Sequence, residues 1–303
     1  MNKPSPAQAL SAPSLQGRAG GESLSIIKVG GAVVEDPASL SALLDQFVKV
    51  GGHKVLVHGG GRSATKLAAQ LGIESQMVGG RRITDAETLR VVTMVYAGLV
   101  NKNIVAQLQA RGTNALGLCG ADLNLIRAHR RPVTPEGIDF GFVGDVDGAD
   151  GQRLLQLLNE GITPVIAPIT HDGTGQLLNT NADTIAQAVA TALVQARTER
   201  RQGTARRVAT LDPSRMDNGQ WMPALSLVYC FELPGVLRDP AAPATLIPHL
   251  TEADFHDLVA DGTIAGGMIP KLENAFAALR AGVDAVRITN IHDLTGGTVI
   301  TRT

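Results

Sequence analysis

Residues 24–31 read LSIIKVGG, and this stretch decides the fold. A short apolar run ending on two glycines is a strand buried on both faces that turns sharply at its carboxyl end. The pattern returns at residues 53–61, HKVLVHGGG, which lead into RSATKLAAQLG, an amphipathic helix closed by glycine. Between the two strands, DPASLSALLDQFVKVGG has the start and stop signals of a helix, with proline early and glycine after its end.

Working outward, 85–112 reads as helix, with Asn101 and Asn103 as interruptions. NALGL and TPVIAPI read as strands, LLQLLNEG as a helix between them, and GQLLNTNADTIAQAVATALVQA as a turn entering a long helix. ALSLVYCF, DAVRITN and GGTVITR supply further strands, with LENAFAALRAG as a helix before the last two. Strands alternating with helices predict an α/β fold around a mainly parallel sheet. Residues 1–22, rich in Pro, Ser, Gly and Ala, read as a flexible tail without the apolar core of a signal peptide. The basic run RTERRQGTARR opens a stretch, 197–219, that reads as an exposed insertion, a loop or hairpin.

Composition excludes several classes. At 303 residues, 44% apolar and 18% charged, the chain can bury a sizeable core. A net charge of −1 gives no bulk attraction to nucleic acid or to an anionic membrane, and 3% aromatics leave little for base stacking. No apolar run reads as long enough to span a bilayer. Cys119 and Cys230 lack CxxC spacing and read as thiols in a reducing cytosol, so a cytoplasmic location is expected.

Four further features carry chemistry. The glycines at 30–31 and 59–61 are either tight turns or loops that bring backbone N–H groups to an anion, where α/β folds place ligands. Lys28 beside the first loop favours the second reading. GxxxxGK[ST] and HRD are absent, and HGGGRS is out of register for GxGxxG, so P-loop, protein-kinase and dinucleotide readings lose support. Asn179, Asn181 and Asp183 alternate before a helix, more Asx side chains than a cap needs. Lys271 follows Gly266 and Gly267 at a helix start, against the dipole, a placement a bound anion would relieve. Finally, GGRRITD places Arg81 and Arg82 together on a glycine step.

In order, IKVGG, VHGGG, GGRRITD, NTNADT and GGMIPKL resemble the amino acid kinase family, from about Leu24 to the C-terminal GGTVI. The resemblance implies a three-layer αβα sandwich with an open, mainly parallel eight-stranded sheet. An N-terminal lobe, 23–175, would bind the acylated amino acid and mediate dimerisation, and 176–303 would bind ATP. It implies ATP-dependent phosphorylation of the γ-carboxylate of N-acetyl-L-glutamate, with Mg²⁺ carried on ATP and no protein-built metal site, in a homodimer. Lys28 and Lys271 match lysines that stabilise the transferring phosphoryl group, and Asp183 matches the aspartate that organises them. Gly30 and Gly31 match phosphate donors, while Gly60, Gly61, Arg82, Asn179 and Asn181 match substrate-binding positions. His58 reads as structural, because an ionised carboxylate needs no general base.

Two departures stand out. LVYCFELPGV replaces an aspartate motif of the form L-S-D-V-x-G, keeping Glu232 and Gly235 in outline. Arg81 stands where the family more often has leucine, which leaves N-succinyl-L-glutamate open as the acceptor, with Arg81 contacting the acyl group. Another member of the family and a non-catalytic regulator on the same fold are the remaining alternatives.

Overall fold

The computed structural model describes residues 23–208 and 224–302. The expected tail at 1–22 and residues 209–219 of the expected insertion lie outside the described residues. The chain begins with β1 (Leu24–Val29), α1 (Gly31–Glu35), α2 (Pro37–Lys49), β2 (His53–His58) and α3 (Gly61–Gln70). A small hairpin, β3 (Met77–Val78) and β4 (Arg81–Arg82), precedes α4 (Ala86–Thr93), a π-helical segment Met94–Val100, and α5 (Asn101–Ala110). Then come β5 (Ala115–Leu118), β6 (Ile126–Arg130), β7 (Gly144–Ala149), α6 (Gly151–Asn159), β8 (Thr163–Ile166), β9 (Ile169–His171) and β10 (Leu177–Asn179). The last part runs α7 (Ala182–Val208), β11 (Leu225–Phe231), β12 (His249–Leu250), α8 (Glu252–Ala260), α9 (Met268–Arg280), β13 (Ala285–Asn290) and β14 (Asp293–Ile300).

Eight strands form one sheet in the order β12-β14-β13-β11-β1-β2-β8-β5, parallel except for the β13–β14 pair. On one side of the β1–β11 seam every strand lies before residue 167, and on the other every strand lies after residue 224. Alternation within single strands explains the continuous apolar runs. Leu24 and Ile26 of β1 enter a core shared with α6–α9, while Ile27 and Val29 enter the opposite core under α1–α5. Helices therefore cover both faces, giving three layers.

A second, four-stranded sheet, β10-β9-β6-β7, and the hairpin β3–β4 stand outside this frame. Sequence periodicity marked only the turn before Asn179, because these strands are short and half exposed.

Two expectations need correction. Residues 197–208 are not a loop: α7 continues through Val208. Arg, Glu, Gln and Ala dominate that run and favour helix, and no proline interrupts it. Arg197 is anchored by an ion pair to Asp284 at 3.0 Å. The stretch Ala86–Ala110 does reach the length and apolarity of a membrane span by composition. One of its faces, including Leu89, Val92, Ile104 and Leu108, is buried in the core, and the other carries Glu87, Arg90 and Lys102. The interruptions expected at Asn101 and Asn103 are not found: helical backbone runs through both, and only the hydrogen-bond pattern changes, from π-helical to α-helical at Asn101.

Candidate active site

The two glycine loops meet at the carboxyl ends of β1 and β2, whose register is Val29 opposite His58. Gly59 N donates to Val29 O at 3.0 Å, and Gly30 N donates to Cys230 O at 3.3 Å. A Cβ on Gly31 would lie 3.3 Å from the amide nitrogens of both Gly60 and Gly61, and one on Gly59 3.0 Å from Gly31 N. None of these glycines has a left-handed backbone. Gly31 and Gly59 are needed because the two loops pack closely against each other, and runs of glycine amides at strand ends are suited to binding an anion. Gly61 opens α3, where Glu35 accepts from Ser63 N at 2.5 Å.

His58 holds this corner from below. It is fully buried, with Nδ1 2.8 Å from Gly59 O and Nε2 3.1 Å from Asn101 Nδ2, which also donates to Val165 O at 2.9 Å. The amide donates to Nε2, so Nδ1 carries the proton and the ring is neutral. Burial pushes its pKa down to about 4. The π-helical segment brings Tyr96 over the loop, and a Cβ on Gly60 would lie 2.9 Å from its ring. Such segments put an extra residue into a helix, and here that residue run aims a side chain at the site.

Lys28 projects from β1 towards the start of α7, where its Nζ lies 2.6 Å from Asp183 Oδ1 with both groups largely buried. Asn181 Oδ1 accepts from Asp183 N at 2.7 Å, so the cap of α7 also fixes the aspartate. Lys271 approaches from α9, after Gly266 with its positive φ of 57°. Burial lowers the pKa of Lys271 and the nearby Lys28 charge adds to this, while Asp183 and Glu232 oppose it. The two ammonium groups lie 4.9 Å (Lys28) and 4.6 Å (Lys271) from the centroid of the Phe231 ring.

Two cavities converge here and share Lys28, Gly61, Arg82 and Asp183. The smaller, of about 230 Å³, also takes Gly60, Arg81, Tyr96, Arg131, Asn179 and Asn181. Arg82 is buried and donates from Nη1 to Ser75 Oγ at 2.6 Å and from Nη2 to Gly61 O at 3.0 Å and Thr65 Oγ1 at 2.8 Å. Asn179 Nδ2 donates to Thr84 Oγ1 at 3.0 Å. Arg81, its neighbour, is exposed at the rim near Arg131, which is ion-paired to Asp145. The larger cavity, of about 720 Å³, adds Gly30, Gly31, Phe231, Glu232, Gly235 and Lys271. The structure thus gathers every candidate residue into one cleft. Lys271 borders only the larger cavity, and Asn179 and Asn181 only the smaller. Among the described residues no three His, Cys, Asp or Glu side chains form a metal-binding group.

The sequence does not single out Tyr96, Arg131 or Glu35 as site residues, and it marks Phe231 only as part of the departure in LVYCFELPGV. One signal was available: the chain has only two tyrosines, Tyr96 and Tyr229, and both stand beside this cleft.

Comparison with known proteins follows this geometry. The profile described as the amino acid kinase family matches residues 23–198 and 220–290. The acetylglutamate kinase of Bacteroides thetaiotaomicron is 58% identical over 268 residues, covering 88% of this chain and 93% of that protein. The acetylglutamate kinase of Bacteroides fragilis is 56% identical over 268 residues, covering 88% and 92%. Among solved structures, smu.665 from Streptococcus mutans UA159 superposes with a TM-score of 0.70 at 25% identity, covering 92% of this chain and 99% of that one.

Proposed function

The chain belongs to the amino acid kinase family, and from that premise we propose that it phosphorylates N-acetyl-L-glutamate at the expense of ATP. The products are N-acetyl-L-glutamyl 5-phosphate and ADP, in the route to arginine. The observation that carries the reading is the Lys28–Asp183 pair at the junction of an amino-acid-sized cavity and a larger one, with Lys271 beside the same Phe231 ring as Lys28. A γ-carboxylate oxygen attacks the γ-phosphorus as the bond to the β–γ bridging oxygen breaks, and the electron pair leaves on ADP. Two anions must approach, so the protein's work is positioning and fixed positive charge. The carboxylate is ionised near pH 7, and no side chain has to remove a proton.

In this reading Lys28 and Lys271 neutralise the transferring phosphoryl group, and Asp183 holds Lys28 in place. Gly31 donates to phosphate from one loop, with Gly30, whose own N–H is held by Cys230 O, letting the phosphate approach, and Gly60 and Gly61 donate to the acceptor from the other. Arg82 and Asn179 hold the rest of the amino acid, with Asn181 fixing the turn beside them. Residues 23–175 supply most of the acceptor cavity and 176–303 the far wall of the nucleotide cavity. Mg²⁺ travels on the ATP phosphates with its waters, and Asp183 and Glu232 are the carboxylates bordering that cavity. The enzyme works as a cytoplasmic homodimer, pairing through the π-helical segment and edge strand β5, which leave Met94, Leu99 and Leu116 exposed. A coupled assay of ADP release tests the activity. The absence of release with any acylglutamate would reject the reading, and a monomer in sedimentation would reject the dimer.

One observation favours a second acceptor. Arg81 and Arg131 both line the smaller cavity, and among the described residues only Arg131 of the two is ion-paired, to Asp145. N-Succinyl-L-glutamate would offer Arg81 the missing carboxylate. A kcat/KM equal or higher for the acetyl compound would reject that acceptor.

A further inference from the structure

Phe231 occupies an unexpected place for a phenylalanine in a chain with so few aromatics. It ends β11, next to the seam with β1, and its ring lies against the first glycine loop, where a Cβ on Gly30 would be 4.0 Å from its Cδ1. Tyr229, two residues earlier on the same strand face, is parallel to it within 6°, with centroids 6.2 Å apart. Tyr229 is fully buried, so the Phe231 ring is backed by the core and has little freedom to turn.

The ammonium groups at the ring outnumber the carboxylate that is ion-paired there. Two ammonium groups share one buried carboxylate, Asp183, and Lys28 holds that carboxylate at 2.6 Å. Among the described residues Lys271 has no such ion pair. Asp183 and Glu232 reach it only at longer range, and Lys28 repels it. A flexible, four-carbon side chain in that position has several rotamers to choose from and an incentive to swing into water. The electron-rich face of the Phe231 ring, 4.6 Å away, offers its ammonium an attractive partner.

We propose that Phe231 is a positioning residue for phosphoryl transfer, its ring fixing the ammonium groups of Lys28 and Lys271 on either part of the reacting centre before substrate arrives. The inference rests on the kinase reading above and adds a residue to it. It explains why the strand that departs from the family's L-S-D-V-x-G form still ends in a site with both lysines in place. A residue that merely walled the nucleotide cavity would affect ATP binding. A residue that holds the lysines affects the chemical step, because those charges act mainly in the transition state.

The test first measures ADP release by the native enzyme with acetylglutamate, which decides the kinase reading separately. Phe231→Leu is then expected to lower kcat about tenfold to a hundredfold, with KM for both substrates changed less than about threefold. Replacing Phe231 by mono-, tri- and pentafluorophenylalanine keeps the shape while draining the ring face of electron density, and kcat should fall step by step. A third readout needs no activity: in the enzyme labelled with ¹³C-lysine, two ε-methylene resonances should be shifted upfield by the ring and should return on Phe231→Leu. A raised KM for ATP with unchanged kcat, a kcat indifferent to fluorination, or lysine resonances indifferent to Phe231→Leu would overturn the proposal.

Discussion

The two walls of the cleft are built on different principles. The acceptor wall is locked by hydrogen bonds: Arg82 is tied to three partners, the glycine loops abut amide to amide, and His58 and Asn101 brace them from beneath. The nucleotide wall has Lys271 on a helix that begins after two glycines, held by a ring and by charges at longer range. The contrast teaches where each wall draws its precision. On one side, saturated backbone geometry does the positioning. On the other, a few side-chain contacts do it, and single substitutions should act on chemistry without unfolding the protein.

The largest expected effect separates the lysines. Lys28→Ala and Lys271→Ala should each lower kcat by about a hundredfold to a thousandfold, as expected for losing a preorganised positive charge. Only Lys28→Ala should also destabilise the fold, by about 3 kcal/mol in denaturant titration, because it leaves Asp183 buried without its partner. Lys271→Ala should leave stability within about 0.5 kcal/mol. Equal stabilities for the two variants would erase the distinction between the walls.

Acid should break the acceptor wall first. Burial lowers the pKa of His58 to about 4, below an unfolded value near 6.5. Between those values the unfolded chain binds the extra proton, so this contribution is full above about pH 6.5 and is lost as pH falls towards 4, roughly 3 kcal/mol in all. Protonation would also turn Nε2 into a donor facing the Asn101 amide. Thermal melts from pH 7 to 4 should show the loss, and His58→Gln should flatten it.

Gly60→Ala should cost about 1–3 kcal/mol, since its Cβ meets the Tyr96 ring at 2.9 Å. Gly61→Ala meets nothing closer than 3.9 Å and should fold normally, so any loss of activity there reports contact with substrate. Smaller still is the difference between the arginines. Arg82→Lys should raise KM for the amino acid about tenfold by losing the planar fork, whereas Arg81→Ala should change kcat/KM for acetylglutamate less than about threefold. A comparable loss from both would show that the rim arginine grips the same substrate group.

The order of the central strands' chemistry was legible early. LSIIKV and HKVLVH occupy β1 and β2 as their apolar runs indicated, because strands buried on both faces leave no polar alternation to misread. The pairing of Lys28 with Asp183 was anticipated as chemistry, and Arg82 separated itself from Arg81 only through neighbours contributed by α3 and the loop after it. The run 197–208 reads as a loop from its charge alone, but its helix-forming residues carry α7 through to Val208. The small sheet escaped notice because its strands are too short for periodicity to register.

Local sequence by itself determined the strands, the glycine turns and the caps, since each depends on residues within one turn or one hairpin, and the order of the motifs along the chain determined the family resemblance. Which groups face one another was decided only by tertiary structure. The parallel order of β11, β1 and β2 brings Phe231, Lys28 and the second glycine loop to one edge of the sheet, and α7 and α9 then deliver Asp183 and Lys271 to it. Positions more than 150 residues apart meet there because a sheet aligns strand ends irrespective of their distance along the chain, a juxtaposition no local pattern encodes.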